Sequence, residues 1–214
     1  MTAPSHHPSE ARLLDLARGA LAEGPAAVVA AHVGACPACR AQVRLAEAVG
    51  GALLSTIEPA PMAQDALARA LAAIEVPSPA APAAAAQGPE DWIRVPSQIL
   101  AAARSRRWMA PGVWVAMVDG DRKGGPRSYL LGIGAGIAVP MHTHRGSELL
   151  CVVKGAFEDG GRIYRAGDFA ESDETISHEP KVTRDGDCVC LVATDDYLVP
   201  VSFTAKLFHR FIRI

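Results

Sequence analysis

Residues 1–76 carry apolar side chains at the spacing of amphipathic helices. A first stripe begins after Ser9, which supplies an N-cap, and stops at Gly24. Its apolar positions are Leu13, Leu16, Ala17, Ala20 and Leu21. Because these positions recur every three or four residues, they predict one helix that runs up to Gly24.

Three more helices are predicted in the same part of the chain. The second starts at Gly24, where a proline follows, and ends near Gly34, since glycine favours a helix end. The third spans about 37–53 and the fourth about 62–74, each with an apolar stripe. We therefore predict a small, all-helical N-terminal domain over residues 1–76.

From residue 91 onward, the chain changes to short β-branched runs separated by glycine and aspartate turns. Such runs predict an antiparallel barrel or jelly roll over residues 91–214. Residues 77–90 are rich in proline and alanine, and the four prolines there prevent a continuous helix. We therefore expect a multidomain chain, α then β, whose linker would let the two halves move independently.

Charge and hydropathy narrow the classes of function. With 21 basic against 23 acidic residues and no basic block, the chain lacks the positive surface that sequence-independent nucleic-acid binding requires. No run approaches the roughly 18 apolar residues of a membrane span, and the N-terminal segment lacks the order of a secretion signal. We expect a cytoplasmic protein that binds neither nucleic acid nor membrane directly.

A first candidate metal site has the spacing H-x3-C-x2-C from His32 through Cys36 to Cys39. Two cysteines at this spacing can reach one ion, and thiolates with an imidazole favour tetrahedral zinc. The helix N-terminus predicted there would also favour the thiolate form. The fourth ligand would come from His6 or His7, the histidines upstream. A CxxC redox pair or buried thiols are the alternatives.

A second candidate site lies between Gly136 and Gly155, with the spacing G-x5-H-x-H-x3-E-x6-G. On a strand, His142 and His144 point to the same face, and Glu148 adds a carboxylate oxygen. Two histidines and one carboxylate suit non-haem iron, manganese, nickel or zinc. This spacing matches the first motif of the cupin family, which predicts a cupin barrel.

The second cupin motif is matched only approximately. A turn at Gly167 and Asp168 is followed by His178, eleven residues after the glycine, which is a candidate fourth ligand. Ala166 stands where the usual turn has proline, and Val182 stands where the motif has asparagine. The first motif therefore carries more weight than the second.

Five cysteines, an odd number, favour metal ligands, redox thiols or core positions over a disulfide framework. Cys188 and Cys190 lie two residues apart on a predicted strand and face the same side. They either approach the metal, as a candidate redox pair, or fill the core, and the core is favoured. Cys151, between two apolar residues, is also predicted in the core.

The segments HHPSEARLLDLARGAL and VVAAHVGACPACRAQ resemble the zinc-binding anti-sigma family, and the whole chain resembles its ChrR branch. The resemblance implies a zinc ion held by His7, His32, Cys36 and Cys39. It implies a second zinc ion held by His142, His144, Glu148 and His178. In such proteins the zinc-bound helical domain wraps an extracytoplasmic-function (ECF) sigma factor and blocks its binding to RNA polymerase.

The resemblance thus implies an anti-sigma factor and not an enzyme, with the cupin half sensing singlet oxygen or related organic peroxides. Residues 41–54 and 62–74 would form the sigma-facing surface. Two other functions stay open from the residues alone, a metal-dependent cupin dioxygenase and a small-molecule-binding barrel. The H-x3-C-x2-C site favours the anti-sigma function over both, because it has no role in dioxygenase chemistry.

Overall fold

The computed structural model describes residues 3–75, 89–119, 127–195 and 199–200. Its α-helices are α1 (Glu10–Ala17), α2 (Glu23–Ala35), α3 (Pro37–Leu54), α4 (Ala66–Glu75) and α5 (Ser97–Ala102). Its strands are β1 (Arg107–Ala110), β2 (Val113–Asp119), β3 (Arg127–Ile133), β4 (His142–Thr143), β5 (Glu148–Lys154), β6 (Ala156–Asp159), β7 (Arg162–Arg165), β8 (Phe169–Ser172), β9 (Lys181–Val182), β10 (Cys188–Thr194) and β11 (Val199–Pro200). Most of the predicted linker, 77–88, and residues 201–214 lie outside the described residues.

Helix α1 begins where predicted but ends earlier. Ser9 is its N-cap, and the Ser9 hydroxyl accepts a hydrogen bond from the backbone N–H three residues later. The predicted continuation to Gly24 is wrong, because the helix ends at Ala17. Gly19 adopts φ +66°, and the N–H groups of Gly19 and the next residue return to carbonyls of the last turn. This glycine cap, rather than Gly24, ends the helix.

Helices α2 and α3 agree with the predicted 24–34 and 37–53 to within one residue at each end. The fourth helix begins at Ala66 instead of residue 62, because the Asp65 carbonyl accepts the first helical hydrogen bond and aspartate is a favoured N-cap. Among the described residues, no helix has the length and apolar character needed to span a bilayer.

The described strands pair into three antiparallel sheets. The largest has six strands in the order β1-β2-β3-β10-β5-β8, and the smaller sheets are β7-β6-β9 and β11-β4. Strand β10 lies between β3 and β5, which are far from it in sequence. Non-local antiparallel pairing of short strands is typical of a jelly roll. The structure confirms the predicted β-barrel class of the second half.

The central strand β10 is buried along its whole length. One face belongs to the barrel interior and carries Cys188, Cys190 and Val192. The other face, with Leu191 at its centre, joins the apolar cluster that includes helix residues. A strand buried on both faces reads as a continuous apolar run, as CVCLVAT does here.

Helix α2 packs across the outer face of the barrel, against β5 and β10. Val28 and Val29 of this helix are both 0% exposed. Gly24 allows the close approach, since a Cβ there would lie 3.2 Å from the Ser128 Cβ. Because α2 is apolar around its circumference, it needs cover on more than one side. The two halves therefore share a core in this structure, which differs from the expectation that they move independently.

We expect Leu191→Ala to lower the free energy of unfolding by about 2–5 kcal/mol, because it leaves a cavity in the shared core. Leu71→Ala is the matched control: Leu71 is 54% exposed on α4, and its loss should cost less than about 0.5 kcal/mol. Urea unfolding followed by tryptophan fluorescence measures both. Equal losses of stability in the two variants would contradict the shared core.

Candidate metal centres

Four potential metal ligands from three separate segments converge beside the start of α3. They are His7, His32, Cys36 and Cys39, whose ligand atoms all lie within 4.8 Å of one another. His32 lies in the last turn of α2, Cys36 is the N-cap residue of α3, and Cys39 lies in its first turn. Of the two upstream histidines, His7 joins this cluster, whereas the His6 ring contacts the barrel.

The distances within this first cluster match the edges of a tetrahedron around one ion. His7 Nδ1 lies 3.5 Å from Cys36 Sγ and 3.4 Å from Cys39 Sγ. His32 Nε2 lies 3.4 Å from His7 Nδ1 and 3.3 Å from Cys39 Sγ. Zinc bonds of about 2.0–2.3 Å give tetrahedral edges of about 3.3–3.8 Å. The donor atoms therefore fit a tetrahedral zinc ion.

Burial controls the protonation of the first cluster. Burial lowers the pKa of His32, so its ring is neutral and able to bind a cation. Burial, with the neighbouring Cys36 thiol adding to it, raises the pKa of Cys39 to about 12. The helix end at this position acts in the opposite direction, towards the thiolate. A bound dication would supply the charge that stabilises the thiolate.

A second cluster lies at the barrel mouth and consists of His142, His144 and His178. His144 Nε2 is 3.0 Å from His178 Nε2. The strand predicted to carry His142 and His144 is only two residues long, His142–Thr143, so His144 lies just beyond it. The backbones of His142 and His178 form two hydrogen bonds of 3.1 Å, which hold their rings close together. Burial lowers the pKa values of His142 and His144 to about 4, so both rings are neutral at neutral pH.

Acceptors outside the cluster orient two of these rings. His142 Nδ1 donates to the Pro140 carbonyl at 2.8 Å, and His178 Nδ1 donates to Asp159 Oδ2 at 2.7 Å. Such contacts fix the tautomer and leave Nε2 of each ring as the nitrogen available to a metal ion. Sequence reasoning missed Asp159, because it lies on the β6–β7 hairpin, and its spacing from the other residues carries no motif.

Glu148 lies beside the three histidines. Its Oε2 is 3.6 Å from His144 Nδ1, whereas the other nitrogen of this ring faces His178. Burial, with the Asp159 charge adding to it, raises the pKa of Glu148 to about 7. A cation at the cluster would favour the charged carboxylate, which is suited either to bind the metal or to orient His144.

A cavity of about 610 Å³ opens beside the second cluster, and its wall includes Tyr129, His178, Cys188 and Cys190. The two thiols are buried with their Sγ atoms 3.7 Å apart. The hydrogen bond with Cys188, together with burial, raises the pKa of Cys190, so the Cys190 side chain rests as a thiol. Cys151 is buried in the core between barrel and helices, as predicted.

The fold and the two clusters define a class of protein in which a helical unit with a cysteine–histidine cluster is fused to a cupin barrel. Residues 97–198 match the family model of the ChrR cupin-like domain. The chain is 36% identical over 213 residues to the anti-sigma-E factor ChrR of Cereibacter sphaeroides, covering 98% of each. It also matches a chain of the crystal structure of Rhodobacter sphaeroides SigE in complex with the anti-sigma ChrR. That match has 32% identity and a TM-score of 0.76 over 90% of this chain and 100% of the other. The protein belongs to the ChrR family of anti-sigma factors.

Cys39→Ser is expected to remove about one equivalent of zinc from the purified full-length protein, because a hard hydroxyl replaces a soft thiolate in the tetrahedron. Cys151→Ala, which removes a buried thiol outside both clusters, should leave the zinc content unchanged. Elemental analysis by plasma mass spectrometry gives the content of each variant. Equal zinc in Cys39→Ser and the parent would exclude Cys39 as a ligand.

Proposed function

We propose that this protein is an anti-sigma factor that binds an ECF-type sigma factor through its helical domain, residues 1–76. Residues 77–90 act as the linker and residues 91–214 as a cupin domain that responds to a signal. Membership of the ChrR family, and likeness to a chain of the SigE–ChrR complex, support this proposal. Binding to a sigma factor places the action in the cytoplasm and requires no direct contact with DNA.

A row of exposed apolar side chains on α3, α4 and the segment between them is the observation that carries this proposal. Its members are Leu45, Val49, Leu53, Leu54, Ile57, Met62, Leu67, Leu71 and Ile74, with exposed fractions of 52–80%. Monomeric soluble proteins seldom leave so many large apolar side chains in water on consecutive elements. Amphipathic helices of this kind bind in apolar grooves of a partner. All members of the row except Ile57 fall within the predicted sigma-facing segments 41–54 and 62–74.

We assign a structural role to the first metal site, with one zinc ion bound by His7, His32, Cys36 and Cys39. The helical domain has a thin core of its own, since Leu13 is the buried residue of α1 and Cys39 and Val43 are those of α3. Zinc would supply the cross-link that such a small core lacks. Loss of one ligand would therefore loosen the helices that carry the exposed apolar row.

We assign signal detection to the barrel. A second divalent ion, zinc or another metal, would be held by His142, His144 and His178, with Glu148 as a ligand or orienting group. The proposed signal is singlet oxygen or an organic peroxide, since imidazoles and thiols are oxidisable. Cys188 and Cys190 line the cavity next to this site and form the candidate redox pair.

The rival function is a metal-dependent dioxygenase, which the cavity beside three histidines favours. We favour a regulator without enzymatic activity, because catalysis in the barrel gives no role to the first cluster or to the exposed apolar row. The metal bound in the barrel separates the two functions. Iron with an open coordination position would favour the enzyme, and zinc with a closed shell would favour the regulator.

Leu71→Asp in the full-length chain is expected to weaken sigma-factor binding about tenfold or more, because it places a charge in the centre of an apolar interface. Trp108→Asp is the matched control, since Trp108 is 62% exposed and lies on β1 of the barrel instead of the helical domain. The tagged proteins are used to capture partners from the host under reducing, zinc-replete conditions. Recovery of no sigma factor by the parent chain, with its expression verified, would contradict the proposed function.

His178→Ala is expected to leave sigma binding in place while reducing the response to singlet oxygen, because it removes a ligand of the barrel site only. The measurement is transcription from a sigma-dependent reporter before and after illumination with a photosensitiser. Ile176→Ala, which alters the cavity wall without removing a ligand, serves as the control. Loss of sigma binding in His178→Ala would refute this division of roles between barrel and helices.

A further inference from the structure

The turn that precedes β8 leaves the barrel and contacts the segments that carry His7 and His32. We propose that Gly167 and Asp168 in this turn are positioning residues for the first metal site, so that the barrel sets how tightly the helical domain holds its metal. This inference rests on the metal site of the proposed function. It gives two residues of the barrel turn a role at the first site, whereas the sequence motif that contains them belongs to the second.

Asp168 holds the chain immediately before His7. This carboxylate is 1% exposed, and its Oδ1 accepts hydrogen bonds from the N–H of Ser5 at 2.6 Å and of His6 at 3.1 Å. Its Oδ2 accepts from the N–H of Arg165 at 2.8 Å, which ties the same side chain to the barrel turn. The N–H of the residue after Asp168 donates to the His6 carbonyl at 3.0 Å. His6 is thus fixed through both its N–H and its carbonyl. Because His7 is the next residue, these two hydrogen bonds also restrict the position of its backbone.

Gly167 holds the second histidine. His32 Nδ1 donates to the Gly167 carbonyl at 2.7 Å, and both residues are far inside the contact between the two halves. The Gly167 N–H in turn donates to the Val152 carbonyl of β5 at 2.8 Å, so the accepting peptide group is anchored on the central sheet. With Nδ1 engaged, Nε2 is the nitrogen directed at the other ligands. A partner of this kind orients a metal-binding imidazole and raises its basicity.

The contact requires glycine at position 167. Gly167 has φ +96°, and a Cβ there would lie 2.9 Å from Pro4 Cγ and 3.4 Å from Ala35 Cβ. Pro4 leads into the segment held by Asp168, and Ala35 is the last residue of α2, directly before Cys36. Any side chain at this position would therefore push apart the two segments that carry the ligands, the one leading to His7 and the end of α2.

Another link between the helices and the barrel does not reach the ligands. Arg12 and Glu171 form an ion pair of 2.7 Å, but both side chains are partly exposed and Arg12 lies within α1. An exposed pair of this type contributes little stability. It is therefore a suitable comparison for contacts that bear directly on His7 and His32.

Because coupling between two sites is reciprocal, a metal ion bound at the first site would also stabilise the turn at Gly167 and Asp168.

The first experiment measures the affinity of the full-length protein for Co²⁺, followed by thiolate-to-cobalt charge-transfer absorption. This band arises only from cobalt bound to cysteine, so it measures binding at the first site and not at the histidine cluster of the barrel. Asp168→Asn keeps the size of the side chain but weakens the acceptor, and we expect Co²⁺ to bind about 10-fold to 100-fold more weakly. Glu171→Gln, which breaks the exposed ion pair, should match the parent. Equal affinity in Asp168→Asn and the parent would overturn the proposal.

A second pair of variants tests the same point through backbone approach. Gly167→Ala and Gly161→Ala both place alanine at positive φ in a barrel turn, but a Cβ at Gly161 meets nothing within 4 Å. We expect Gly167→Ala alone to bind Co²⁺ more weakly at the cysteine site. Its Co²⁺ affinity at the barrel site and its midpoint of urea unfolding should equal those of Gly161→Ala. Equal weakening in both variants would overturn the proposal, because it would reflect strain in the barrel.

The outcomes separate this inference from the proposed function. If the parent protein shows no thiolate-to-cobalt band, the first metal site fails and the inference fails with it. If the parent binds Co²⁺ there and neither Asp168→Asn nor Gly167→Ala changes the affinity, the inference alone fails. If both variants fail to fold while their controls fold, the turn has a general role in stability and the positioning role is refuted.

Discussion

The rest of the molecule depends on one cluster of side chains, formed by His7, His32, Cys36 and Cys39. These groups lie where α1, α2 and α3 come together. Three of them, His32, Cys36 and Cys39, are buried, and a buried polar group is costly without a partner. From this point α2 runs across the barrel, and α3 runs outward with its exposed apolar face. The direction of each helix therefore depends on how the four side chains are held.

The barrel contributes more than a separate second site. Its central strands are covered by α2 on one side and enclose the second cluster on the other, so one sheet supports both clusters of potential metal ligands. Burial on both faces makes the sheet rigid and ties the position of α2 to that of β5 and β10. A linker in the sequence indicated two units, but it could not indicate that the units pack together, because apolar periodicity does not identify the surface that covers a helix.

Sequence spacing was sufficient for residues whose partners are local. H-x3-C-x2-C and H-x-H each place their side chains within one short segment of chain, and the structure brings both groups together. Spacing failed for contacts between distant segments: Asp159 with His178, Asp168 with the residues before His7, and Gly167 with His32. The end of α1 was misplaced for a different reason. Gly19 and Gly24 are both suitable helix caps, and which one acts depends on hydrogen bonds that a periodicity argument does not include.

The exposed apolar row on α3 and α4 also bears on the lifetime of the free chain. A surface of this kind promotes self-association and recognition by chaperones and proteases whenever its partner is absent. A partner bound to this row would therefore protect the protein from aggregation and degradation. A cell that makes this chain has reason to synthesise it in step with its partner, and once the two separate, turnover of the released chain would prevent them from recombining.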